Sequence, residues 1–416
     1  MVKRKVEKGD AMNFKLYKYF ARGFQKIMKQ GAKVLDWTPP LLLRGEGILE
    51  LLPNTLSARN YNKVLIVTDK GILDLGLLDR LLDGLAKMNI EYIIYDNTVP
   101  NPTDQNAREA AIKYKENSCS AIIGFGGGSA LDCAKGAAVV VGTGNADLQQ
   151  YHGLLKVRKK LPPIIAVPTT SGTGSEGTIA TVITDSVRHT KYAISDTVLL
   201  PEIAVLDAGL IANLPKTITA HTGMDALSHA VEAYINKSNT KETRKMAEVA
   251  VKLIYDNLPS AFENGDKIAR YNMQYAAYLA GRAFTRAYVG NIHAISHQIG
   301  AKYPVAHGEA NAIVMPYVLK EYGDIVHEDL AKLADCAGVT APGDTDKVKA
   351  EKFIDSILEM NKAFGIGDHI LEIEASDVDE MVGYAFDEAN PNYPVPVIFS
   401  KEKFKEMYMK VKTGDM

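Results

Sequence analysis

Between residues 41 and 212, short aliphatic runs alternate with stretches of helical period. KVLIVTD (63–69), EYIIYD (91–96), CSAIIGFG (119–126), PPIIAVPTT (162–170) and EIAVLD (202–207) are almost continuously apolar. That pattern belongs to strands buried on both faces rather than on one. Helical stretches fall at about 74–88, at 104–117 and from Ser129 onward. ATVITD (180–185) and KYAIS (191–195) flank a polar turn, which predicts a hairpin. Apolar strands separated by helices predict a parallel sheet covered on both sides. After Pro215 the period changes. HTGMDALSHAVEAYI, TRKMAEVAVKLIYDNL and QYAAYLAGRAFTRAYVGNIHAISHQIGA are helical by spacing, with more helix at 317–338 and 347–364 and no convincing strand. The turn ANLPKT divides an α/β segment, 41–213, from an all-helical one, 214–416.

Residues 1–40 form a third segment. Residues 1–35 hold ten Lys or Arg against Glu7 and Asp10. Phe14, Tyr17, Phe20, Phe24, Ile27 and Met28 recur at helical spacing, so this reads as a basic amphipathic helix. The leading expectation is a helix packed on its own protein or on a second subunit. Contact with a membrane surface and disorder are the lesser readings. The segment lacks the apolar core and cleavage site of a secretory signal.

A net charge of −2 over 416 residues gives no reason to expect a nucleic-acid partner. Cys119, Cys133 and Cys336 include no closely spaced pair, which suits a reducing, cytoplasmic setting. No apolar run approaches the roughly 18 residues needed to span a bilayer.

Two loops suit phosphate. GFGGGSALDCAKG (124–136) leaves a strand and enters a helix. Gly126, Gly127 and Gly128 permit close backbone approach, Ser129 is placed as the N-cap, and Asp132 follows three residues on. A tight strand–helix turn without a ligand is the competing reading, and the loop departs from the usual dinucleotide fingerprint at Ser129. PTTSGTGSEGT (168–178) also leaves a buried strand and carries Thr169, Thr170, Thr173 and Ser175. Two such loops at the ends of parallel strands define one crevice for a nucleotide-type ligand. Asp69 ends the first strand. It suits ribose hydroxyls and would repel a 2′-phosphate, or it is simply a turn residue.

Asp225 and His229 are four apart, as are His293 and His297, and His307 lies ten beyond. On helices each pair shares a face. A carboxylate with several imidazoles suits Fe(II) or Zn(II). A lone helix histidine is usually packing or surface, and His152, His189, His327 and His369 are read that way. His221 is a capping or supporting residue.

The motifs GFGGGSALDCAK, PTTSGTGSE, TGMDALSHAVEAY and GNIHAISHQIGAKYPVAHGEANAIVMP resemble, in order and spacing, the iron-containing (group III, metal-dependent) alcohol dehydrogenases. The resemblance covers roughly 41–416. It implies a dehydroquinate synthase-like fold: an α/β dinucleotide-binding domain with a parallel sheet, an all-helical metal-binding domain, and the active site in the cleft. It implies Asp225, His229, His293 and His307 as metal ligands, with His297 off the metal, near the nicotinamide, as a proton-relaying catalytic residue. On the cofactor side it implies Gly126 to Ser129 and Asp132 for the pyrophosphate, Thr169, Thr170 and Thr173 for the nicotinamide half, Lys191 for a ribose, and Asn101 and Asp69 beside them. Asp69 favours NAD(H) over NADP(H). The implied reaction interconverts primary alcohols and aldehydes by hydride transfer, with the metal as Lewis acid, in a homo-oligomer such as a dimer. A zinc-dependent polyol (glycerol-type) dehydrogenase and a non-catalytic nucleotide sensor are the alternatives. Three positions depart from the family pattern: Gly177 and Ala180 are smaller than usual, and Tyr288 is larger.

Overall fold

A computed structural model describes residues 2–188 and 190–416, with side chains from Asn13 onward. His189 and the charged side chains of residues 3–10 lie outside what is described. The chain opens with α1 (Val2–Gly31), β1 (Leu41–Gly45), α2 (Leu52–Ala58), β2 (Lys63–Val67), α3 (Lys70–Asp74), α4 (Asp79–Lys87) and β3 (Glu91–Tyr95). It continues with α5 (Asp104–Glu116), β4 (Ala121–Gly126), α6 (Gly128–Thr143), β5 (Gly153–Leu154), β6 (Ile164–Pro168), β7 (Ala180–Thr184), β8 (Lys191–Ser195) and β9 (Ile203–Asp207). Only helices follow among the described residues: α7 (Lys216–Ile235), α8 (Lys241–Glu263), α9 (Lys267–Ala287), α10 (Asn291–Lys302), α11 (His307–Tyr322), α12 (His327–Ala337), α13 (Asp346–Ala363), α14 (Val378–Ala389) and α15 (Lys401–Thr413).

Six strands form one sheet in the order β1-β9-β6-β4-β2-β3, every neighbouring pair parallel. Alternation explains the continuous apolar runs. In β2, Leu65 and Val67 enter the core on one face while Val64 and Ile66 enter the core on the other. The same split occurs in β4, with Ile122 opposite Ala121, Ile123 and Phe125. β7 and β8 make the expected antiparallel hairpin, joined by β5 in a small second sheet. From β2 the chain moves outward to β3 and then returns to β4 on the opposite side, which places a topological switch at the carboxyl ends of β2 and β4.

Two compact units emerge. One holds both sheets, in residues 36–226, together with 256–285. The other holds 227–255, 286–416 and the N-terminal residues up to Leu35. The boundary falls inside α7, between Ala226 and Leu227. No helix among the described residues is long and apolar enough to cross a membrane.

Helix α1 forms as its period predicts and packs on its own chain. Its inner face is Phe14, Tyr17, Ala21 and Gln25, with Ala21 fully buried against Val395 and Ile398. Phe20 and Ile27, expected on that face, lie on the outer side with Leu16 and Tyr19, 60–73% exposed. The helix is apolar on two sides, so its period alone did not identify the docked one.

Candidate metal centre and cofactor loops

The carboxyl ends of the adjacent strands β2, β4 and β6 carry Asp69, the glycine loop and the hydroxyl loop. The amide of Thr169 donates to the Gly126 carbonyl at 2.9 Å, extending the strand ladder to the mouth of both loops. A Cβ added at Gly128 would lie 2.7 Å from Thr173 Cγ2, and one at Gly127 would lie 3.4 Å from Thr170 Cγ2. The two loops therefore pack directly on each other, and only glycine permits it at 128. Asp69 adjoins them: a Cβ at Gly126 would lie 3.5 Å from Asp69 Oδ2. Its other oxygen, Oδ1, accepts from the Ile72 amide at 3.1 Å and caps α3.

Two expectations need correction. Ser129 is not the N-cap. Gly127 occupies that place with no side-chain cap, and Ser129 Oγ instead accepts from the Asn101 amide at 3.3 Å. Leaving the first turn of α6 without a side-chain cap suits it to an anion better than a serine cap would. Asn101 takes a left-handed φ of 57°, and its carbonyl accepts from Thr184 Oγ1 at 3.2 Å. Asp132 is engaged by protein on both oxygens, by Ser175 Oγ at 3.1 Å and the Val182 amide at 3.2 Å, so it fastens the two loops rather than facing outward. Lys191 opens β8 opposite Thr184. The small residue at 177 makes room for a neighbour: a Cβ there would lie 3.1 Å from Arg282 Cγ.

Lys135 had no assigned role from sequence, though a lysine inside ALDCAKGAAVVV was the available signal. It is fully buried, and its Nζ donates to the carbonyls of Ser175, Thr178 and Ala180 and to Thr178 Oγ1 at 2.7–3.0 Å. Burial pulls its ammonium down to about 8, and pushes the neighbouring carboxyls of Asp132 and Glu176 up to about 6 and about 7. Glu176 is raised from 4.5, so its stabilising contribution is complete below that value and is lost as pH climbs through about 7. At full titration this amounts to at most about 3 kcal/mol. The melting temperature of Glu176→Gln should therefore gain on the parent between pH 5 and 7.5. A gap that stays constant across that range in calorimetry would contradict the assignment.

The histidine cluster is built on α7, α10 and α11. Asp225 and His229 occupy consecutive turns of α7, His293 lies in the first turn of α10, and His307 is the first residue of α11. One ligand atom from each lies within 4.8 Å of the other three. Asp225, His229 and His293 are buried, 1–5% exposed. The His229 and His293 rings stack at 4.5 Å, and His293 and His307 are 5.4 Å apart. Burial, then the adjacent imidazoles, hold His293 well below its ordinary value, so it is neutral and ready to ligate.

Glu232, unassigned from sequence, holds the His293 ring. Its Oε2 lies 2.6 Å from His293 Nδ1 and accepts from the Gly290 amide at 2.8 Å, while Oε1 accepts from the Ile292 amide at 2.8 Å. One carboxylate thus caps α10 and turns His293 Nε2 toward the cluster, the usual support for a ligating imidazole. A Cβ at Gly290 would strike Glu232 Oε1 at 2.7 Å. Asn311 Nδ2 spans His293 Nε2 and His307 Nε2 at 3.2 and 3.1 Å. Its signal was position: four residues after His307 on one helix.

His297 stays outside the four. Its Nδ1 is 2.6 Å from Glu388 Oε1, and its ring stacks on His307 at 5.1 Å. His221 is not part of the cluster. His152 meets Tyr192 edge-on, and His327 and His369 pair with Asp324 and Asp368. One carboxylate and three imidazoles so converged match the donor number and type of a first-row divalent cation.

Known proteins agree with this architecture. The family profile for iron-containing alcohol dehydrogenases matches residues 39–208, and the profile for the C-terminal part of Fe-containing alcohol dehydrogenases matches 219–411. The chain is 35% identical to the NAD-dependent methanol dehydrogenase of Bacillus methanolicus, over 84% of its own length and 92% of the relative's. It is 39% identical to the 1,3-propanediol dehydrogenase of Klebsiella pneumoniae, over 76% and 82%. A crystal structure of a 1,3-propanediol oxidoreductase superposes with a TM-score of 0.87 at 34% identity, covering 91% of this chain and all of that one. The chain belongs to the iron-containing alcohol dehydrogenase family.

Proposed function

We propose that this chain interconverts short primary alcohols or diols and their aldehydes with NAD(H), and that Asp225, His229, His293 and His307 hold the metal. The convergence of those four side chains, with Glu232 behind His293, is the observation that carries the reading. In this reading residues 41–213 bind the dinucleotide, 214–416 carry the chemistry, and 1–40 are an addition. A divalent cation held by Asp225, His229, His293 and His307 would supply Lewis acidity toward the substrate oxygen, and a dinucleotide held by the two loops would supply the hydride chemistry. Asp225 contributes the one negative charge among the ligands, so the set leaves a divalent ion net positive. Glu232 keeps the His293 ring aimed. The Gly126–Ser129 backbone and the first turn of α6 receive the pyrophosphate, supported by Thr169, Thr170, Thr173, Lys191 and Asn101. Asp69 accepts from ribose hydroxyls and disfavours a 2′-phosphate. Asp132 holds the loops together.

His297 takes the hydroxyl proton at Nε2, with Nδ1 held on Glu388. Its replacement by alanine should lower turnover about 10²-fold, the ordinary worth of a positioned proton-transfer group. Full turnover by that variant would remove His297 from the mechanism. The relatives named for methanol and 1,3-propanediol support a small substrate. Oligomerisation as a dimer and a cytoplasmic location complete the proposal. The test is anaerobic purification with metal analysis, followed by NADH and NADPH oxidation over C2–C6 aldehydes and NAD reduction with C2–C6 alcohols, 1,3-propanediol and glycerol. Turnover restricted to NAD(H) supports the reading. Glycerol as the preferred substrate favours a polyol dehydrogenase, and no turnover despite bound NAD and metal favours a sensor.

A further inference from the structure

The segment Pro391–Pro396 holds three prolines, Pro391, Pro394 and Pro396, and forms neither helix nor strand. Prolines bring no N–H, so the carbonyls of such a stretch must find donors elsewhere. The Lys237 amide donates to the Pro394 carbonyl at 2.7 Å, and helix α1 supplies donors to four others. Arg22 Nη1 and Nη2 donate to the carbonyls of Val395 and Pro396 at 2.8 and 2.9 Å. Gln25 Nε2 donates to those of Pro391 and Tyr393 at 3.0 and 2.8 Å. Gln25 is 6% exposed, and Arg22 Nη1 also donates to its Oε1 at 2.8 Å, so the pair is locked in one pose. Tyr17, one turn earlier, meets Phe386 of α14 with ring centroids 5.6 Å apart.

The clamped segment leads to the proposed catalytic histidine. Tyr393 OH donates to Glu388 Oε1 at 2.9 Å, and the same oxygen lies 2.6 Å from His297 Nδ1. Gln298 Nε2 holds the other oxygen at 3.0 Å. Burial and the Glu388 carboxylate keep the Tyr393 phenol well above its ordinary value, so it remains a donor. From Gln25 to His297 the path runs through one residue, Tyr393, and one carboxylate, Glu388.

We propose that the N-terminal helix is a positioning element for His297: Arg22 and Gln25 fix Tyr393, Tyr393 fixes Glu388, and Glu388 orients the imidazole. This rests on the role given to His297 above. An alternative in which α1 merely stabilises its own unit predicts the same contacts but a different coupling, because only residues acting through one another show non-additive effects.

The experiment is a mutant cycle in full-length, metal-loaded protein. Arg22→Ala with Gln25→Ala is placed in the parent and in the His297→Ala background, with Tyr393→Phe as a second probe that removes one oxygen. In the parent, the paired change should lower kcat about tenfold, as expected for a small misplacement of a reacting group. KM for NADH and metal content should not move. In the His297→Ala background the paired change should have almost no effect. Tyr393→Phe should reproduce part of the loss and add nothing to the pair. An equal loss in both backgrounds would overturn the proposal. So would full kcat in Tyr393→Phe, and that variant decides the matter if the paired change fails to fold. A His297→Ala protein with parental turnover would instead remove the mechanistic role of His297, and this proposal with it.

Discussion

Replacing His293 with alanine is expected to lower turnover by at least about 10³-fold while leaving the dissociation constant for NADH within about twofold. Lewis acidity at a reacting oxygen is worth several kcal/mol, and each 1.36 kcal/mol is tenfold in rate. His293 is 1% exposed, stacked on His229, bound to Glu232 and bridged by Asn311 to His307. Its loss would remove one of the four proposed ligands and leave the buried Glu232 side chain without its imidazole. Metal affinity should fall by more than the 10- to 100-fold typical of losing a supporting partner. The residues assigned to the dinucleotide are a separate set, so fluorescence titration with NADH should report near-parental binding. A variant holding one metal per chain and turning over within tenfold of the parent would refute the assignment of His293.

The mirror experiment is Gly126→Ala. It should weaken NADH binding at least about tenfold and leave metal content unchanged. Gly126 has φ 149°, a region that side chains other than glycine's rarely adopt. An added Cβ would sit 2.8 Å from Ala130 Cβ and 3.5 Å from Asp69 Oδ2. The backbone strain alone is about 1–3 kcal/mol. Relief requires the loop to move away from α6 and Asp69, the groups proposed to meet the pyrophosphate and ribose. Unchanged NADH affinity, measured beside a lowered melting temperature, would show that the glycine serves packing and not the ligand.

Much of this was readable in the chain. β2, β4, β6 and β9 announced themselves because strands of a covered parallel sheet are mostly apolar, and the edge strand β3 did so through its run of Tyr and Ile. β1 did not: it is an edge strand, partly exposed along its length, and its LLLRG follows two prolines without a clear period. β5, two residues long, offers no pattern. The loops were legible because close backbone approach demands glycine, yet the direction of Ser129 and Asp132 depended on Asn101, Ser175 and Val182, which are distant in sequence.

The cluster showed the same division. Spacing of four drew attention to Asp225, His229, His293 and His297, but the two histidines of α10 are equivalent by spacing. What separates them is which carboxylate each meets. Glu232 lies three residues after His229 on the same helix, a signal that was present and unread. Glu388 lies 91 residues from His297 and left no local trace.

X-ray absorption spectroscopy on the full-length protein, purified anaerobically with Fe(II) or Zn(II), tests the central claim most directly. Metal analysis should give about one metal per chain, and the spectrum should show nitrogen and oxygen neighbours at roughly 2.0–2.2 Å with outer-shell scattering from three imidazoles that falls to two in the His293→Ala variant. Sulfur in the first shell, or an imidazole count unmoved by that substitution, would contradict it.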